Sequence, residues 1–188
     1  MLTESRVKKV LDLVKKEYDY MDNKPIDILV ERLGKWCTET NINSYTLILD
    51  KKFNDDNFSK FFYVYIAEEF KFDLTWAKVD YENTITALVL LHEIGHIQQT
   101  MNIELTKGWA KKVNKTYNDF KIKSSNMSVV ERLIAYRLIS YEYLADKFAV
   151  EIFSKYAVKI LAILNGTTQK EIKNRLAEVK KVVAWDES

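Results

Sequence analysis

The sequence predicts one α+β domain, in which a small, mainly antiparallel sheet precedes a helix that carries both histidines of the chain and a set of long C-terminal helices. Two observations support this fold class. The hydrophobic residues, 47% of 188, suffice for the core of one domain of ordinary size. The period of the apolar residues also changes along the chain, from helical spacing to alternation and back. Because the chain has only four glycines and one proline, we find no linker and assign residues 1–188 to a single domain.

The N-terminal part predicts two helices. The first fades near Asp22, and Pro25 suits the first turn of the second. The apolar residues of the first helix recur at helical spacing: Val7, Leu11, Val14 and Tyr18. Those of the second helix are Ile26, Leu29, Leu33 and Trp36.

Alternation within residues 44–79 predicts two or three strands. Residues 54–57, NDDN, form a turn signal between two such stretches. In the first stretch the alternating residues are Tyr45, Leu47 and Leu49. In the second they are Phe70, Phe72, Leu74 and Trp76.

Beyond residue 80 the spacing is helical again. Asn83 suits the cap of a helix that runs to about Met101, so the histidine helix is expected to follow the sheet directly. Two later helices are predicted to begin with capping boxes: Ser128 with Glu131, and Thr168 with Glu171.

Charge and cysteine content narrow the possible functions. A formal net charge of +2 with 30% charged residues gives no general case for nucleic-acid or membrane binding. We interpret the lysine run between residues 107 and 123, opposed only by Asp119, as a solvated face, with a partner-binding patch as the alternative. The single cysteine, Cys37, excludes an internal disulfide and is expected to be an inert core thiol. Because there is neither a signal-like N-terminus nor a membrane-length apolar stretch, we expect a cytoplasmic protein.

Both histidines lie in LLHEIGHIQQ, residues 90–99. His92 and His96 are four positions apart, so on a helix they share a face and can direct two imidazoles at one metal ion. Glu93 points about 100° around the helix from His92, too far to be an equal ligand but close enough to hold a water on the metal. That is the geometry of H-E-x-x-H, two ligands and a general base. A hydrogen-bonded core pair and chance recurrence are the alternatives, which we disfavour because polar rings after the apolar run ITALVLL would need partners.

A third ligand is expected among the carboxylates, because a catalytic zinc site usually has three protein ligands and no histidine remains. We select Glu142, whose helical neighbours in YEYLADKFA, residues 141–149, are largely apolar. A buried carboxylate is costly unless it binds a cation. Asp146, one turn further on, is expected to accept a hydrogen bond from the second ring nitrogen of a ligating histidine. The alternative for Glu142 is an ion pair with Arg137 or with a lysine at a helix edge. The rival ligands are Glu131, better explained by its capping box, and Glu151, which has a more polar flank.

The two motifs together resemble those of the gluzincin metallopeptidases. H-E-x-x-H is followed by E-Y-x-A-D-x-F-A at residue 142, which is 46 positions after residue 96 (142 minus 96). The second motif is most similar to that of the HtpX-like proteases, and the resemblance covers roughly residues 80–155. It implies a zincin-like domain in which Glu142 is the third zinc ligand and Asp146 supports the site. It also implies that an edge strand within residues 70–79 holds the substrate as an added strand.

The chain departs from these families in several respects. HtpX-like enzymes are membrane-bound, whereas this chain is more similar in build to the compact soluble minigluzincins. ImmA/IrrE-like proteins carry similar motifs but usually place them closer together. Since both histidines are used, the donor to the transition state would be a tyrosine or an arginine. The candidates are Tyr136, Arg137 and Tyr143.

These inferences predict a zinc-dependent endopeptidase that binds one Zn²⁺ through His92, His96 and Glu142. The zinc would lower the pKa of its bound water to about 7, and Glu93 would act as the general base. The partner is expected to be a peptide or protein substrate. The alternatives are a site-specific protease of one regulator, as in ImmA/IrrE-like proteins, and a non-catalytic interaction module with a structural metal. We interpret the acidic tail WDES, residues 185–188, as a frayed terminus rather than a segment that fills the cleft.

Overall fold

The computed structural model describes residues 2–31, 39–41, 45–50, 56–103 and 108–186. Helices make up most of these residues, which confirms an α+β fold of the helix-rich kind. The helices are α1 (Glu4–Lys15), α2 (Asp56–Phe70), α3 (Thr75–Ile103), α4 (Trp109–Lys123), α5 (Val129–Arg137), α6 (Ser140–Asn165) and α7 (Gln169–Asp186). The strands are β1 (Asp27–Glu31), β2 (Glu39–Asn41) and β3 (Thr46–Asp50), and short 3₁₀ helices cover Asp19–Asn23 and Ser124–Asn126. None of the helices in these ranges combines the length and the apolar character that crossing a membrane requires.

The sheet is mixed, with the strand order β1-β3-β2. β1 runs parallel to β3 from end to end, whereas β2 runs antiparallel to β3 and is only three residues long. The predicted mainly antiparallel sheet is therefore wrong, because the longer of the two ladders is parallel. β3 follows the predicted alternation: Tyr45, Leu47 and Leu49 are buried, and the intervening Thr46 and Ile48 are only partly covered.

The predicted second helix is wrong where the structure describes it. Residues 27–31 form β1, in which Val30 is buried and Leu29 is exposed. The spacing of Ile26 and Leu29 fits a helix, but Ile28 and Val30 alternate as a strand requires and favour an extended backbone. The rest of that prediction, including Leu33 and Trp36, falls outside the described residues, as does Cys37.

The predicted strand within residues 70–79 is also wrong. Phe70 ends α2 and Thr75 begins α3, so the alternating aromatic residues span a helix end, a connection and a helix start. Phe72 is buried in that connection, where its ring lies 5.5 Å from the ring of Phe153. No edge strand exists there to hold a substrate. The turn expected at 54–57 gives way to α2 at Asp56, its first two residues being outside the described ranges.

The predicted histidine helix is confirmed as part of α3, although α2 separates it from the sheet. α3 changes direction at Asp80, where the backbone is extended (φ −165°, ψ 92°). There the Asp80 carboxylate accepts a hydrogen bond from the Asn83 backbone N–H at 3.1 Å, as a capping residue does. The cap therefore lies three residues before the predicted one, and the helix beyond it continues past Met101 to Ile103.

The predicted helix starts at Ser128 and Thr168 are confirmed, but the helical region that opens at Ser128 is divided by Leu138 and Ile139 into α5 and α6. Both capping boxes are present, at Ser128 with Glu131 and at Thr168 with Glu171. Between them, α6 ends at Gly166, which has a left-handed φ of 69° that glycine adopts readily. α6 itself begins at Ser140 without a side-chain cap, and its buried face packs against α3.

Candidate metal centre

α3 and α6 approach each other closely at Gly95. A Cβ atom on this glycine would lie only 3.2 Å from the Cα of Ala145 and 3.1 Å from Cδ1 of Phe148. Such contacts are closer than most Cβ atoms make, so a side chain at residue 95 would force its neighbours on α6 to shift by a few tenths of an ångström, and glycine lets the two backbones meet without that shift. The side chains of α3 and α6 that flank this contact therefore face one another across a short distance.

Three of the predicted site residues converge beside this contact. Nε2 of His92 lies 3.2 Å from Oε2 of Glu142, and Nε2 of His96 lies 3.6 Å from the same oxygen. Among the described residues these three side chains form a buried group whose candidate ligand atoms all lie within 4.8 Å of one another. Ligands placed about 2.0–2.2 Å from a tetrahedral zinc ion are separated by roughly 3.3–3.6 Å. The two distances between the imidazoles and Glu142 are thus close to those between zinc ligands.

Asp146 supports His92 from the next turn of α6. Its Oδ1 lies 2.7 Å from Nδ1 of His92 and 3.2 Å from a guanidinium nitrogen of Arg137. In the neutral tautomer this arrangement favours, Nδ1–H donates to the carboxylate and the lone pair of Nε2 points towards Glu142. The structure therefore puts Asp146 where the sequence predicts it and adds Arg137 as its cationic partner.

Before any metal binds, the buried charges compensate one another. Burial lowers the pKa of His92, but the charge and hydrogen bond of Asp146, followed by the hydrogen bond of Glu142, outweigh it and raise that pKa to about 9. Burial also opposes ionisation of Glu142, but its hydrogen bonds with His92 and His96 hold the pKa of the carboxyl well below its ordinary value. Glu142 is therefore ionised, as a ligand must be, and a metal would compete with the proton on His92.

Charge balance within the site favours a dication. Among the buried residues, the carboxylates of Glu93, Glu142 and Asp146 accompany one guanidinium, that of Arg137. With the histidines neutral, as metal ligands are, two negative charges remain in excess. A divalent ion would offset both, and a set of two imidazoles and a carboxylate suits zinc. The residues present therefore fit the predicted metal.

Two tyrosines bind the other oxygen of Glu142. Tyr136 donates a hydrogen bond to Oε1 at 3.0 Å, and Tyr117 donates to the same oxygen. Burial, followed by the negative charge of Glu142, raises the pKa of both phenols, so they remain protonated donors. Oε2 is left facing the two histidines.

Tyr136 is one of the donors that the sequence predicts, whereas Tyr117 is not predicted. Tyr117 lies on α4 within the lysine run, which we interpreted from its charge alone. The helical spacing of Val113, Tyr117 and Phe120 could have indicated an inward face. The lysines of this run that the structure describes are exposed, as a solvated face requires.

Two residues that the sequence did not predict, Tyr141 and Gln99, lie near His96. The ring of Tyr141 stacks on the imidazole with 4.2 Å between ring centroids and 21° between planes. The side-chain amide of Gln99 donates to the backbone carbonyl of Tyr141 at 3.2 Å. The ring of His96 is therefore held by stacking, whereas that of His92 is held by a carboxylate.

Of the other residues considered for the site, Glu93 is buried next to His92 in the chain, whereas the rest lie elsewhere. Glu93 is 7% exposed on the same turn of α3 as His92, but it is not part of the three-residue group. Glu131 is exposed in its capping box, and Glu151 is exposed beside Lys147, so neither reaches the site. The ring of Tyr143 packs against Phe70 at 5.1 Å instead of pointing at Glu142.

The remaining predictions concern residues of which little is described. The side chains of Trp185 and Asp186 in the acidic tail, and all of Glu187 and Ser188, lie outside the described part of the chain, as does Lys107.

Compared with known proteins, the chain matches no protein-family model, no curated protein and no solved structure.

Proposed function

We propose that this chain is a zinc-dependent endopeptidase with a zincin-like fold, in which His92, His96 and Glu142 hold one zinc ion. The observation that carries the proposal is the convergence of these three side chains in one buried group, with the nitrogen of each imidazole 3.2 or 3.6 Å from one oxygen of Glu142. Structural zinc sites usually have four protein ligands, whereas catalytic sites have three and keep one position open. Within the described part of the chain the group has three members, which favours a catalytic role.

Glu93 supplies the second argument for catalysis. A bound zinc ion would supply Lewis acidity, lowering the pKa of water and polarising a carbonyl group. Glu93 lies beside His92 in the chain, is buried and is not one of the three candidate ligands. A carboxylate in that position can accept a proton from the attacking water and return it to the leaving amine. A site that held a metal only for stability would have no use for it.

Tyr136 and Arg137 are the better of the three candidates for stabilising the negative charge that develops on the carbonyl oxygen. The hydroxyl of Tyr136 lies 3.0 Å from Oε1 of Glu142 and would have to turn its single O–H from that oxygen to the substrate, and a guanidinium nitrogen of Arg137 lies 4.0 Å from Oε2 of Glu142. Both are donors in a buried environment, where such interactions are strong. Tyr143 is less suitable because its ring packs on Phe70.

The substrate class and the cellular setting rest on the resemblance of the two motifs. We propose peptide or protein substrates, with neither nucleic acid nor membrane as a partner, and a cytoplasmic location. A protease specific for one regulator, as in ImmA/IrrE-like proteins, remains the narrower form of the same chemistry.

The test combines metal analysis with digestion of a broad peptide library, with and without chelator. We expect the wild type to carry one zinc ion and to cut peptides until the chelator removes the metal. Glu93→Gln keeps the size of the side chain but cannot accept the proton, so it should retain zinc and lose about 10²–10⁴-fold in activity. Glu82→Gln, at an exposed position of the same helix, is the matched control and should behave as the wild type. Zinc binding without cleavage of any peptide would contradict the hydrolase and favour the non-catalytic module.

A further inference from the structure

The two histidines differ at the ring nitrogen that faces away from Glu142. Nδ1 of His92 has the carboxylate of Asp146 at 2.7 Å. Nδ1 of His96 is buried and has no hydrogen-bond partner among the described residues. When Nε2 gives its lone pair to a metal, Nδ1 of a neutral imidazole carries the proton. A buried N–H donor without an acceptor destabilises the arrangement, so His96 needs an acceptor.

A buried acceptor without a partner lies one turn further along α3. Gln99 is 6% exposed and follows His96 by three residues, which makes the two side chains neighbours on the helix surface. Its NH₂ group donates to the carbonyl of Tyr141, so the amide is oriented with Oε1 on the other side. Oε1 is buried and likewise has no partner within the described ranges.

Tyr141 brings the donor and the acceptor together. Its ring stacks on the imidazole of His96, and its backbone carbonyl receives the amide of Gln99. The unsatisfied nitrogen and the unsatisfied oxygen therefore belong to side chains that both contact one residue. Buried polar atoms are nearly always satisfied, by protein or by ordered water.

We propose that Gln99 is the positioning residue of His96. Its side-chain carbonyl accepts a hydrogen bond from Nδ1–H of His96 through one bridging water, and this holds the ring with Nε2 towards Glu142. The role matches that of Asp146 for His92, with a neutral acceptor in place of a carboxylate. The inference rests on the proposed function, because Nδ1 must carry the proton only when Nε2 binds zinc.

Two substitutions separate the acceptor from the donor of Gln99. Gln99→Met keeps the approximate size and removes both groups. Gln99→Glu keeps an acceptor oxygen and loses the amide that donates to Tyr141. Gln98→Met is the matched control, because the side chain of Gln98 donates a hydrogen bond to Tyr20, away from the three-residue group.

Zinc affinity is measured by competition with a chromophoric chelator, and the Nδ1 proton of His96 is followed by NMR with ¹⁵N-labelled histidine. Thermal unfolding of the zinc-free proteins shows that each variant folds.

We expect Gln99→Met to bind zinc about 10–100-fold more weakly than the wild type, as loss of a ligand's supporting hydrogen bond does. Its His96 Nδ1 proton should exchange with solvent too fast to be seen. Gln99→Glu and Gln98→Met should retain the affinity and the slowly exchanging proton.

Three results would overturn the inference. A Gln99→Met protein that equals the wild type shows that His96 does not depend on Gln99. Equal losses in Gln99→Met and Gln99→Glu assign the effect to the bond with Tyr141, which is a structural role. A rapidly exchanging His96 Nδ1 proton in the zinc-bound wild type decides against the bridge even if neither variant folds. A wild type that binds no zinc is a separate outcome, which refutes the proposed function and this inference together.

Discussion

The two halves of α6 bury different chemistry at similar depth. They meet near Tyr156, where the backbone leaves the helical region (φ −124°, ψ 15°). The half before it buries the carboxylates of Glu142 and Asp146 among apolar side chains. From Ala157 onwards the buried residues are all apolar: Ala157, Ile160, Leu161, Ala162 and Leu164. The second half of α6 therefore has the composition of an ordinary apolar core, whereas the first half carries the buried carboxylates of the candidate metal centre.

The first half of α6 is a costly way to build a core. Buried ion pairs often contribute less to stability than well-packed apolar residues of similar volume, because the charges lose their hydration. Here the first half of α6 buries two carboxylates, beside the guanidinium of Arg137 on α5 and the two imidazoles on α3, whereas the second half buries only apolar side chains. Departures from the rules of core packing tend to mark functional sites. Three predictions test the comparison, in order of their effect on zinc affinity.

Glu142→Ala should have the largest effect, because it removes a proposed ligand from the first half of α6. The binding free energy of structural zinc sites is about 10–16 kcal/mol. Divided among three or four ligands, this total gives each ligand roughly a thousandfold in affinity. Competition with a chromophoric chelator measures this loss. Glu151→Ala, at an exposed position on the same helix, is the control and should bind zinc as the wild type does. Equal affinity in both variants would remove Glu142 from the ligand set.

Asp146→Ala should have an intermediate effect on zinc and a clear effect on folding. Loss of the partner of His92 is expected to weaken zinc binding by about 10–100-fold. The sequence alone suggests an intact fold, but this variant removes the carboxylate that lies 3.2 Å from the buried guanidinium of Arg137. Removing one partner of a buried ion pair costs about 3–5 kcal/mol in the free energy of unfolding, and the carboxylate of Glu142, 4.0 Å from Arg137, reduces that cost.

Asp146→Asn separates the two effects. It keeps an oxygen that can accept from His92 but removes the charge that pairs with Arg137. Zinc titration should therefore show a smaller loss than in Asp146→Ala, while urea unfolding still reports destabilisation. Wild-type stability and affinity in both variants would show that Asp146 is idle.

Leu161→Ala should leave zinc affinity unchanged and lower the stability. Leu161 is fully buried in the second half of α6, so truncation removes apolar contacts and leaves a cavity. Such changes typically lower the free energy of unfolding by about 2–5 kcal/mol. Urea unfolding of the zinc-free protein measures the loss, and zinc competition on the folded variant is the control. A fall in zinc affinity would mean that the halves of α6 are coupled and not separate in role.

The parts of the site that could be predicted from sequence are those set by helical geometry. His92 and His96 are four residues apart on one helix, so their common direction follows from the sequence alone. Glu142 and Asp146 share the same spacing within an apolar stripe. Tyr117 and Gln99 could not be assigned in this way, because their roles arise from contacts that only the packed helices create.

The fold was predicted less well between residues 25 and 79, where short apolar runs suit either a helix or a strand. Ile26 and Leu29 fit helical spacing, yet that segment contains β1. Phe72 and Trp76 fit alternation, yet they are buried or partly buried on either side of a helix start. In both segments tertiary packing decides the backbone conformation. Capping boxes and Gly166 gave the C-terminal boundaries because those signals act locally.

The distance along the chain between the two motifs has a consequence for synthesis on the ribosome. Residues 96 and 142 are 46 positions apart, so at about 5–20 residues per second Glu142 is added roughly 2–9 s after His96. During that interval the nascent chain carries the two imidazoles without the acid, although Tyr117, Tyr136 and Tyr141 are added before it. A complete three-residue group can form only after α6 has been made and has packed against α3 at Gly95. Metal capture by all three side chains would therefore follow the synthesis of α6.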